Sequence, residues 1–97
     1  MTVVRRELEA PLRARVVSAA RALGVISLRI DYDGWPDRLF LTPGRPVWLE
    51  FKRGGEGPRP LQAHRLAQLR ALGYDAAWTD DFDDAMARIK HALRRAD

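Results

Sequence analysis

Cysteine is absent from this 97-residue sequence, and histidine occurs only twice. The first absence excludes disulfide bonds and metal sites built on thiolates, and it favours a reducing compartment. Because there is no H-E-x-x-H pattern and no paired histidine, a zinc hydrolase site is not expected. No apolar run approaches the roughly 18 residues of a membrane span, and the N-terminus lacks the apolar stretch of a signal peptide. The sequence therefore predicts a cytoplasmic protein without a membrane partner.

The charge of the chain is basic and is carried mainly by arginine. Seventeen Lys and Arg residues against thirteen Asp and Glu residues give a net charge of +4. Lys52 and Lys90 are the two lysines, so all other cations are guanidinium groups, whose planar fork suits phosphate oxygens. They are spread along the chain, so a folded surface could attract nucleic acid. Charge alone is weak support, because many basic proteins bind no nucleic acid.

Hydrophobic periodicity divides the chain into three helices and four strands within one domain, residues 1–97. The first helix has Leu8, Leu12, Val16, Ala20 and Leu23 on one stripe and closes at Gly24, with Pro11 in its first turn or at a kink. The following segments are a strand at 26–32 with alternate apolar residues on a buried face, strands at 39–41 and 47–51, a helix at 61–72, a strand at 76–78 and a helix through 82–93. The order α-β-β-β-α-β-α predicts an α/β fold with a mixed sheet flanked by helices.

Three residues that suit metal-assisted chemistry fall on two neighbouring predicted strands. Glu50 and Lys52 are two positions apart, so on a strand their side chains face the same side, about 7 Å from each other. Asp37 begins the preceding strand, and the hairpin can bring its carboxylate beside Glu50. Two carboxylates without histidine or cysteine form a hard oxygen site suited to Mg²⁺ or Mn²⁺. Such an ion activates water towards a phosphodiester, and the lysine ammonium orients that water or stabilises charge on the phosphate.

A structural interpretation of the same residues stays open at this point. Glu50 and Lys52 would form an ion pair on a solvated sheet face, and Asp37 would be a turn residue after Pro36. The order of the P-D and E-x-K segments, with a turn between them, favours the catalytic interpretation. The acidic run at 80–84 lies at a predicted helix start, where carboxylates cap free N–H groups, so it is interpreted as a cap rather than a metal cluster.

The order and spacing of three segments are similar to those of a known family. They are Gly34-Trp35-Pro36-Asp37-Arg38-Leu39, Trp48-Leu49-Glu50-Phe51-Lys52 and Pro58-Arg59-Pro60-Leu61-Gln62. Together they resemble the VRR-NUC family of the PD-(D/E)XK nuclease superfamily. The resemblance extends over nearly the whole chain, including the leading helix and the helix end at Ala71-Leu72-Gly73-Tyr74. The family more often has leucine where Phe51 stands, a departure with no evident chemical consequence.

The resemblance implies a restriction-endonuclease-like fold, with an α-β-β-β-α-β core, a mixed sheet flanked by helices and a C-terminal helix. It also implies a Mg²⁺- or Mn²⁺-dependent DNA endonuclease in which Asp37, Glu50 and the carbonyl of Phe51 bind the metal. Small members of the family, often phage-borne, resemble dimeric enzymes that act on branched DNA. We therefore expect a homodimer with DNA, branched in form, as its partner.

The leading helix offers one more candidate ligand. Members of the superfamily commonly carry an acidic residue there, and Glu7 and Glu9 both qualify. At about 100° per residue, Glu9 lies on the side of Val16 and faces inward, whereas Glu7 faces water. Glu9 is therefore the predicted catalytic and metal-binding residue of this helix. A salt bridge from Glu9 to Arg5 or Arg13 is the alternative.

Gln62 is the remaining residue assigned to the site. It stands four positions before Leu66 and seven before Leu69, on the predicted buried face of its helix. A buried amide needs hydrogen-bond partners, so Gln62 either caps a neighbouring backbone group or binds the catalytic water or Lys52. Its position in the family pattern favours a catalytic role.

Arginines and tryptophans surround these residues. Arg38, Arg53 and Arg59 flank the site and are predicted to hold the DNA backbone, with a solvated surface as the alternative for each. Trp35 and Trp48 are expected to pack in the core, although Trp35 could stack on an extruded base. Two other functions stay open: a catalytically silent DNA-binding or assembly module with the same fold, and a structural subunit with Trp35 at an interface.

Overall fold

The structure, a computed structural model, describes residues 8–94. Its elements in chain order are α1 (Glu9–Ala22), β1 (Ile26–Arg29), β2 (Arg38–Leu41), β3 (Val47–Phe51), α2 (Pro60–Ala71), β4 (Asp75–Thr79) and α3 (Phe82–Arg94). This confirms the predicted order α-β-β-β-α-β-α. Within residues 8–94, no helix has the length and apolar character needed to cross a membrane.

The four strands form one mixed sheet in the order β1-β2-β3-β4. β2 pairs antiparallel with β1 and β3, whereas β3 and β4 are parallel, with Glu50 opposite Trp78. A parallel connection requires a crossover, and α2 provides it. α2 therefore covers one face of the sheet near β4, while α1 and α3 pack together on the other face.

The main core lies between the sheet and the pair α1 and α3. Pro11 is the third residue of α1, inside the first turn, where no intrahelical bond requires its missing N–H. Leu12, Val16 and Ala20 recur every four residues and are fully buried. They contact inward residues of the strands, including Phe40, Val47, Leu49 and Phe51. The first and last members of the predicted stripe, Leu8 and Leu23, are wrong, because both lie beyond the helix ends and are exposed.

The prediction for the first strand is wrong in its length and in its buried face. β1 ends at Arg29, and the exposed fractions of Ile26, Leu28 and Tyr32 are 61%, 44% and 76%. β1 lies at the edge of the sheet, and α2 packs near β4 on the opposite edge. In the described part of the chain, this face of β1 consequently has no covering layer.

The turn before β2 is fixed by hydrogen bonds and by contact with α2. The amide of Trp35 donates to the carbonyl of Tyr32 at 3.1 Å, and the amide of Ile30 donates to the carbonyl of Asp37 at 2.8 Å. Gly34 has a φ of +81°, and a Cβ placed there would lie 2.6 Å from the side chain of Leu61. Glycine thus allows both the turn conformation and the close approach of α2.

We expect Gly34→Ala to lower the free energy of unfolding more than Gly44→Ala. Both glycines have positive φ, so both alanines incur a left-handed backbone cost, on the order of 1 kcal/mol. Only position 34 adds a collision with Leu61, whereas nothing lies within 4 Å of a Cβ at 44. Overpacking of this kind costs about 1 kcal/mol or more. Urea denaturation of the two variants measures the difference, and equal losses would show that α2 does not constrain the turn.

Candidate active site

The β2–β3 hairpin brings Asp37 beside Glu50. Asp37 directly precedes β2, and Arg38 pairs with Leu49, the neighbour of Glu50 on β3. Oδ2 of Asp37 accepts a hydrogen bond from the backbone N–H of Phe51 at 2.8 Å. This bond anchors the loop before β2 to β3. The phenyl ring of Phe51 faces the opposite way, into the main core.

Glu50 is a buried carboxylate whose two oxygens differ in their surroundings. The residue is 3% exposed. Its Oε2 accepts a hydrogen bond from Nε2 of Gln62 at 3.0 Å and lies 3.6 Å from Nζ of Lys52. Its Oε1 is buried and has no hydrogen-bond partner among the described residues. A buried acceptor without a partner is costly, so this oxygen is suited to a ligand that the protein itself does not supply.

Burial raises the pKa of both carboxyl groups. The pKa of Glu50 is raised to about 7, first by loss of water and then by the charge of Asp37, with Lys52 acting in the opposite direction. Burial also raises the pKa of Asp37, while the Phe51 N–H and Arg13 lower it. The charged forms of these two neighbouring acids are disfavoured. A positive charge placed beside them would therefore be favourable.

Lys52 follows β3 on the same side as Glu50. Its backbone N–H donates to the carbonyl of Thr79 at 2.9 Å, which extends the pairing with β4 by one residue. Its side chain is 11% exposed and pairs with Glu50. The ion pair of the structural interpretation is therefore present, but its expected solvated setting is wrong, because the face is covered at this point.

Gln62 connects the carboxylate to the start of α2. Its Nε2 donates to Glu50, and its Oε1 accepts a hydrogen bond from the backbone N–H of Arg59 at 2.9 Å. The side chain is 7% exposed, as its helical position predicted. Gln62 thus caps a backbone group, one of the two roles left open. Its contact with Glu50, rather than with Lys52, was not foreseen.

Glu9 occupies a less central position than expected. Its side chain is 43% exposed, and its Oε2 lies 3.3 Å from NH1 of Arg13, the salt bridge that helical spacing left open. The same NH1 lies 3.8 Å from Oδ2 of Asp37. Between residues 8 and 94, no group of three acidic, histidine or cysteine side chains converges to hold a metal, so the structure does not place Glu9 as a third ligand. Glu7 lies outside the described residues.

Arg13 is the site residue that the sequence analysis missed. It lies between Glu9 and Asp37, and its charge helps Asp37 to ionise. The available signal was the spacing of four from Glu9, which was interpreted only as a helix salt bridge. Contact with Asp37 depends on how α1 crosses the sheet, and local spacing does not give that.

Two clefts open from the carboxylates. The Arg13 cleft, about 280 Å³, is lined by Glu9, Arg13, Asp37 and Arg38 among others. The Tyr32 cleft, about 270 Å³, contains Asp37 and Glu50 and is also lined by Tyr32, Trp35, Arg59 and Gln62. Of the three arginines predicted to hold DNA, Arg38 and Arg59 line these clefts. Arg53 lines neither and lies 3.5 Å from Glu56 in an exposed ion pair.

The remaining candidates have structural roles. Oδ2 of Asp81 accepts a hydrogen bond from the N–H of Asp84 at 2.9 Å, which confirms the predicted cap of α3. Trp35 and Trp48 pack with Leu66 and Leu69 of α2, as expected.

Comparisons with known proteins bear on the family and the fold of the chain. No family model matches the chain. The sequence is 34% identical to "Putative nuclease p44" of Acyrthosiphon pisum secondary endosymbiont phage 1 over an alignment of 79 residues that covers 77% of this chain and 85% of the relative. A solved structure described as "VRR_NUC domain" has the same fold, with a TM-score of 0.76 and 24% identity over 86% of this chain and 95% of that chain. The chain belongs to the VRR-NUC family. This confirms the resemblance and the restriction-endonuclease-like fold class.

The carboxylates of this VRR-NUC chain fit a hard divalent cation. Asp37 and Glu50 offer oxygen atoms only, which suits Mg²⁺ or Mn²⁺ better than a softer metal. The buried Oε1 of Glu50 lacks a partner within residues 8–94, and burial disfavours the charge of both acids. A cation would supply both the missing contact and the missing charge. Two protein carboxylates are sufficient for Mg²⁺, which keeps several waters.

The raised pKa of Glu50 predicts a pH dependence of stability in EDTA. An acid whose pKa rises from 4.5 to about 7 on folding keeps its proton longer in the folded state. The folded protein then binds more protons between these values, so its stability falls as the pH rises through this window. Asp37 adds an effect of the same sign, starting from 3.8.

Glu50→Gln removes this titration and serves as the comparison. Between pH 4 and pH 8, we expect the wild-type protein to lose free energy of unfolding relative to Glu50→Gln, on the order of 2 kcal/mol. Chemical denaturation at several pH values measures the difference between the two proteins. A difference that does not change with pH would contradict the raised pKa.

Proposed function

We propose that this protein is a metal-dependent DNA endonuclease that hydrolyses phosphodiester bonds, with Asp37, Glu50 and Lys52 at its centre. The observation that carries the proposal is the buried Oε1 of Glu50, which has no partner in the described part of the chain and lies beside a second carboxylate and a lysine. The name of the phage relative, a nuclease, agrees with it. Bound Mg²⁺ or Mn²⁺ supplies a Lewis acid for the phosphate and lowers the pKa of a water nucleophile.

Each residue of the site has a separate task in this proposal. Asp37 and Glu50 hold the metal, and the resemblance to the family adds the carbonyl of Phe51. The Phe51 N–H orients Asp37, and Gln62 orients Glu50 through Oε2, which leaves Oε1 free. Lys52, largely buried beside Glu50, orients the attacking water or stabilises charge that develops on the scissile phosphate.

Removal of either carboxylate charge tests the metal site. We expect Asp37→Asn and Glu50→Gln each to lower the rate of DNA cleavage in Mg²⁺ or Mn²⁺ by at least about 100-fold, because they remove ligand charge at constant volume. Asp83→Asn, at an exposed position of α3, is the matched control and should retain the wild-type rate. Cleavage of labelled duplex and four-way DNA with metal, and with EDTA in its place, provides the measurement.

The outcomes separate the proposed enzyme from its alternative. A site variant that cuts at nearly the wild-type rate would show that the active centre lies elsewhere. Wild-type protein that binds DNA but cuts none of these substrates with either metal would support the catalytically silent DNA-binding module instead.

We further propose that the enzyme is a homodimer through the uncovered face of β1 and β2. Ile26 pairs with Leu41 and therefore shares a face with it, and Leu28 lies on the same face two residues from Ile26. All three are exposed, with fractions of 61%, 38% and 44% for Ile26, Leu41 and Leu28. A two-fold contact would cover these side chains and place two active sites on one DNA molecule, as paired nicks in branched DNA require.

Introducing a charge into this face tests the dimer. We expect wild-type protein to have twice the 11.0 kDa chain mass in light scattering at micromolar concentration, and Leu28→Glu to have the single-chain mass. Leu72→Glu, at a position 74% exposed just after α2, controls for a general effect of added charge. A single-chain mass for the wild type, with and without a four-way junction, would remove the dimer from the proposal.

A further inference from the structure

Tyr32 is an exposed aromatic residue at the candidate active site. At 76%, its exposed fraction is the highest among the large hydrophobic side chains in residues 8–94. It lines the Tyr32 cleft together with Asp37 and Glu50. Tyr32 therefore presents its aromatic ring to solvent next to the two carboxylates of the candidate site.

The backbone that carries Tyr32 is held on both sides. The amides of Ile30 and Trp35 donate to the carbonyls of Asp37 and Tyr32, and α2 packs against Gly34 in the same turn. The ring therefore extends from a fixed turn and not from a loose loop. A rigid aromatic loses little conformational freedom when it binds a partner.

Charge indicates what can approach this ring. Asp31 and Asp33 flank Tyr32 in the chain and line the same cleft. Asp31 lies 3.0 Å from Nε of Arg29 in an exposed ion pair. The carboxylate of Asp33 repels phosphate groups, whereas Arg59 is a cation in the cleft. A flat ring without charge is therefore preferred next to Tyr32, with a phosphate nearer to Arg59.

Trp35 also lines the Tyr32 cleft, but its ring is already in contact with other side chains. It packs against Leu66 and Leu69, and the guanidinium of Arg65 lies 4.9 Å from its ring centroid. Base stacking by Trp35, which the sequence analysis left open, would require it to leave these contacts. Tyr32 needs no such rearrangement.

We propose that Tyr32 stacks on an unpaired nucleobase of the substrate, next to the phosphodiester at the Asp37 and Glu50 site. The inference rests on the proposed nuclease function and names the feature of DNA that the site recognises. Nucleobases are flat, uncharged and suited to stacking on tyrosine, whatever their sequence. In a continuous duplex they are stacked and paired, and extruding one costs free energy. The site therefore selects DNA that already has an unpaired base beside the cut, such as a gap or a branch point.

A cross-linking experiment tests the contact directly. Gapped DNA carries 5-iodouracil at the unpaired position and is irradiated with the protein in EDTA, and mass spectrometry locates the cross-link. We expect it at position 32 in the wild type and in Tyr32→Phe, and its loss in Tyr32→Ala. Tyr74, the other tyrosine, is 46% exposed on a different cleft, and its peptide should carry no cross-link.

Affinity provides the second measurement. In fluorescence anisotropy, we expect Tyr32→Ala to weaken binding to gapped DNA about tenfold, as loss of one base–aromatic stack does, and binding to continuous duplex by less than about twofold. Tyr32→Phe and Tyr74→Ala should match the wild type on both DNAs. Equal affinities of Tyr32→Ala and wild type for gapped DNA, or a cross-link at another position, would overturn the stacking site.

The same samples separate this inference from its alternatives. If Tyr32→Ala changes the oligomeric mass in light scattering, Tyr32 belongs to a protein interface and the inference is wrong. Because both measurements are made in EDTA, they do not depend on cleavage. A wild-type protein that cross-links at Tyr32 but never cuts with Mg²⁺ or Mn²⁺ would retain the stacking site and lose the proposed nuclease function. Cleavage with Mg²⁺ or Mn²⁺ but no cross-link at Tyr32 would support the proposed nuclease function and overturn the stacking site.

Discussion

The burial of the Glu50 carboxylate is the constraint on which the arrangement of this protein depends. A carboxylate that is 3% exposed loses most of its hydration, and among residues 8–94 Gln62 and Lys52 compensate one of its two oxygens. Replacing that carboxylate with an apolar side chain would relieve the cost. The surrounding fold preserves it instead, and holds Asp37 beside it with the Phe51 amide. Such an arrangement costs stability, and destabilised ionisable groups of this kind cluster at functional sites.

The two faces of the sheet have different surroundings. Its main core, against α1 and α3, contains the ring of Phe51 and sets the position of β3. The opposite face carries Glu50 and receives α2, which supplies Gln62. The tryptophans on this face pack with Leu66 and Leu69 of α2. The inward residues of one short strand thus belong to the main core and its outward residues to the candidate site, as alternation along a strand permits.

Much of the site follows from local patterns in the sequence. Strand alternation was enough to place Glu50 and Lys52 on one side, and the hairpin was enough to bring Asp37 to them. Helical spacing was enough to bury Gln62. These inferences succeeded because each depends on the geometry of one element or one turn.

Other features depend on how distant elements pack, and the sequence did not reveal them. The alternation of Ile26, Leu28 and Tyr32 predicted a buried face, yet burial requires a covering layer, and α2 packs near the opposite edge. The contact of Arg13 with Asp37 likewise depends on the crossing of α1 over the sheet. The lack of a described partner for Oε1 of Glu50 depends on how β3 packs with neighbouring elements, so no single segment of the sequence predicts it.

The double contact of Gln62 has a consequence for local opening of the structure. One amide closes the N-terminal turn of α2 through Arg59 and shields Glu50, so fraying of that turn also hydrates the carboxylate. Hydration lowers the electrostatic cost of the ionised acid, and this gain offsets part of the free energy lost by fraying. Without metal and above neutral pH, this gain lowers the cost of opening the first turn of α2, so native-state hydrogen exchange there should be faster than the burial of the turn alone would give. A cation that neutralises Glu50 would remove this gain and slow exchange at a turn that the cation does not touch.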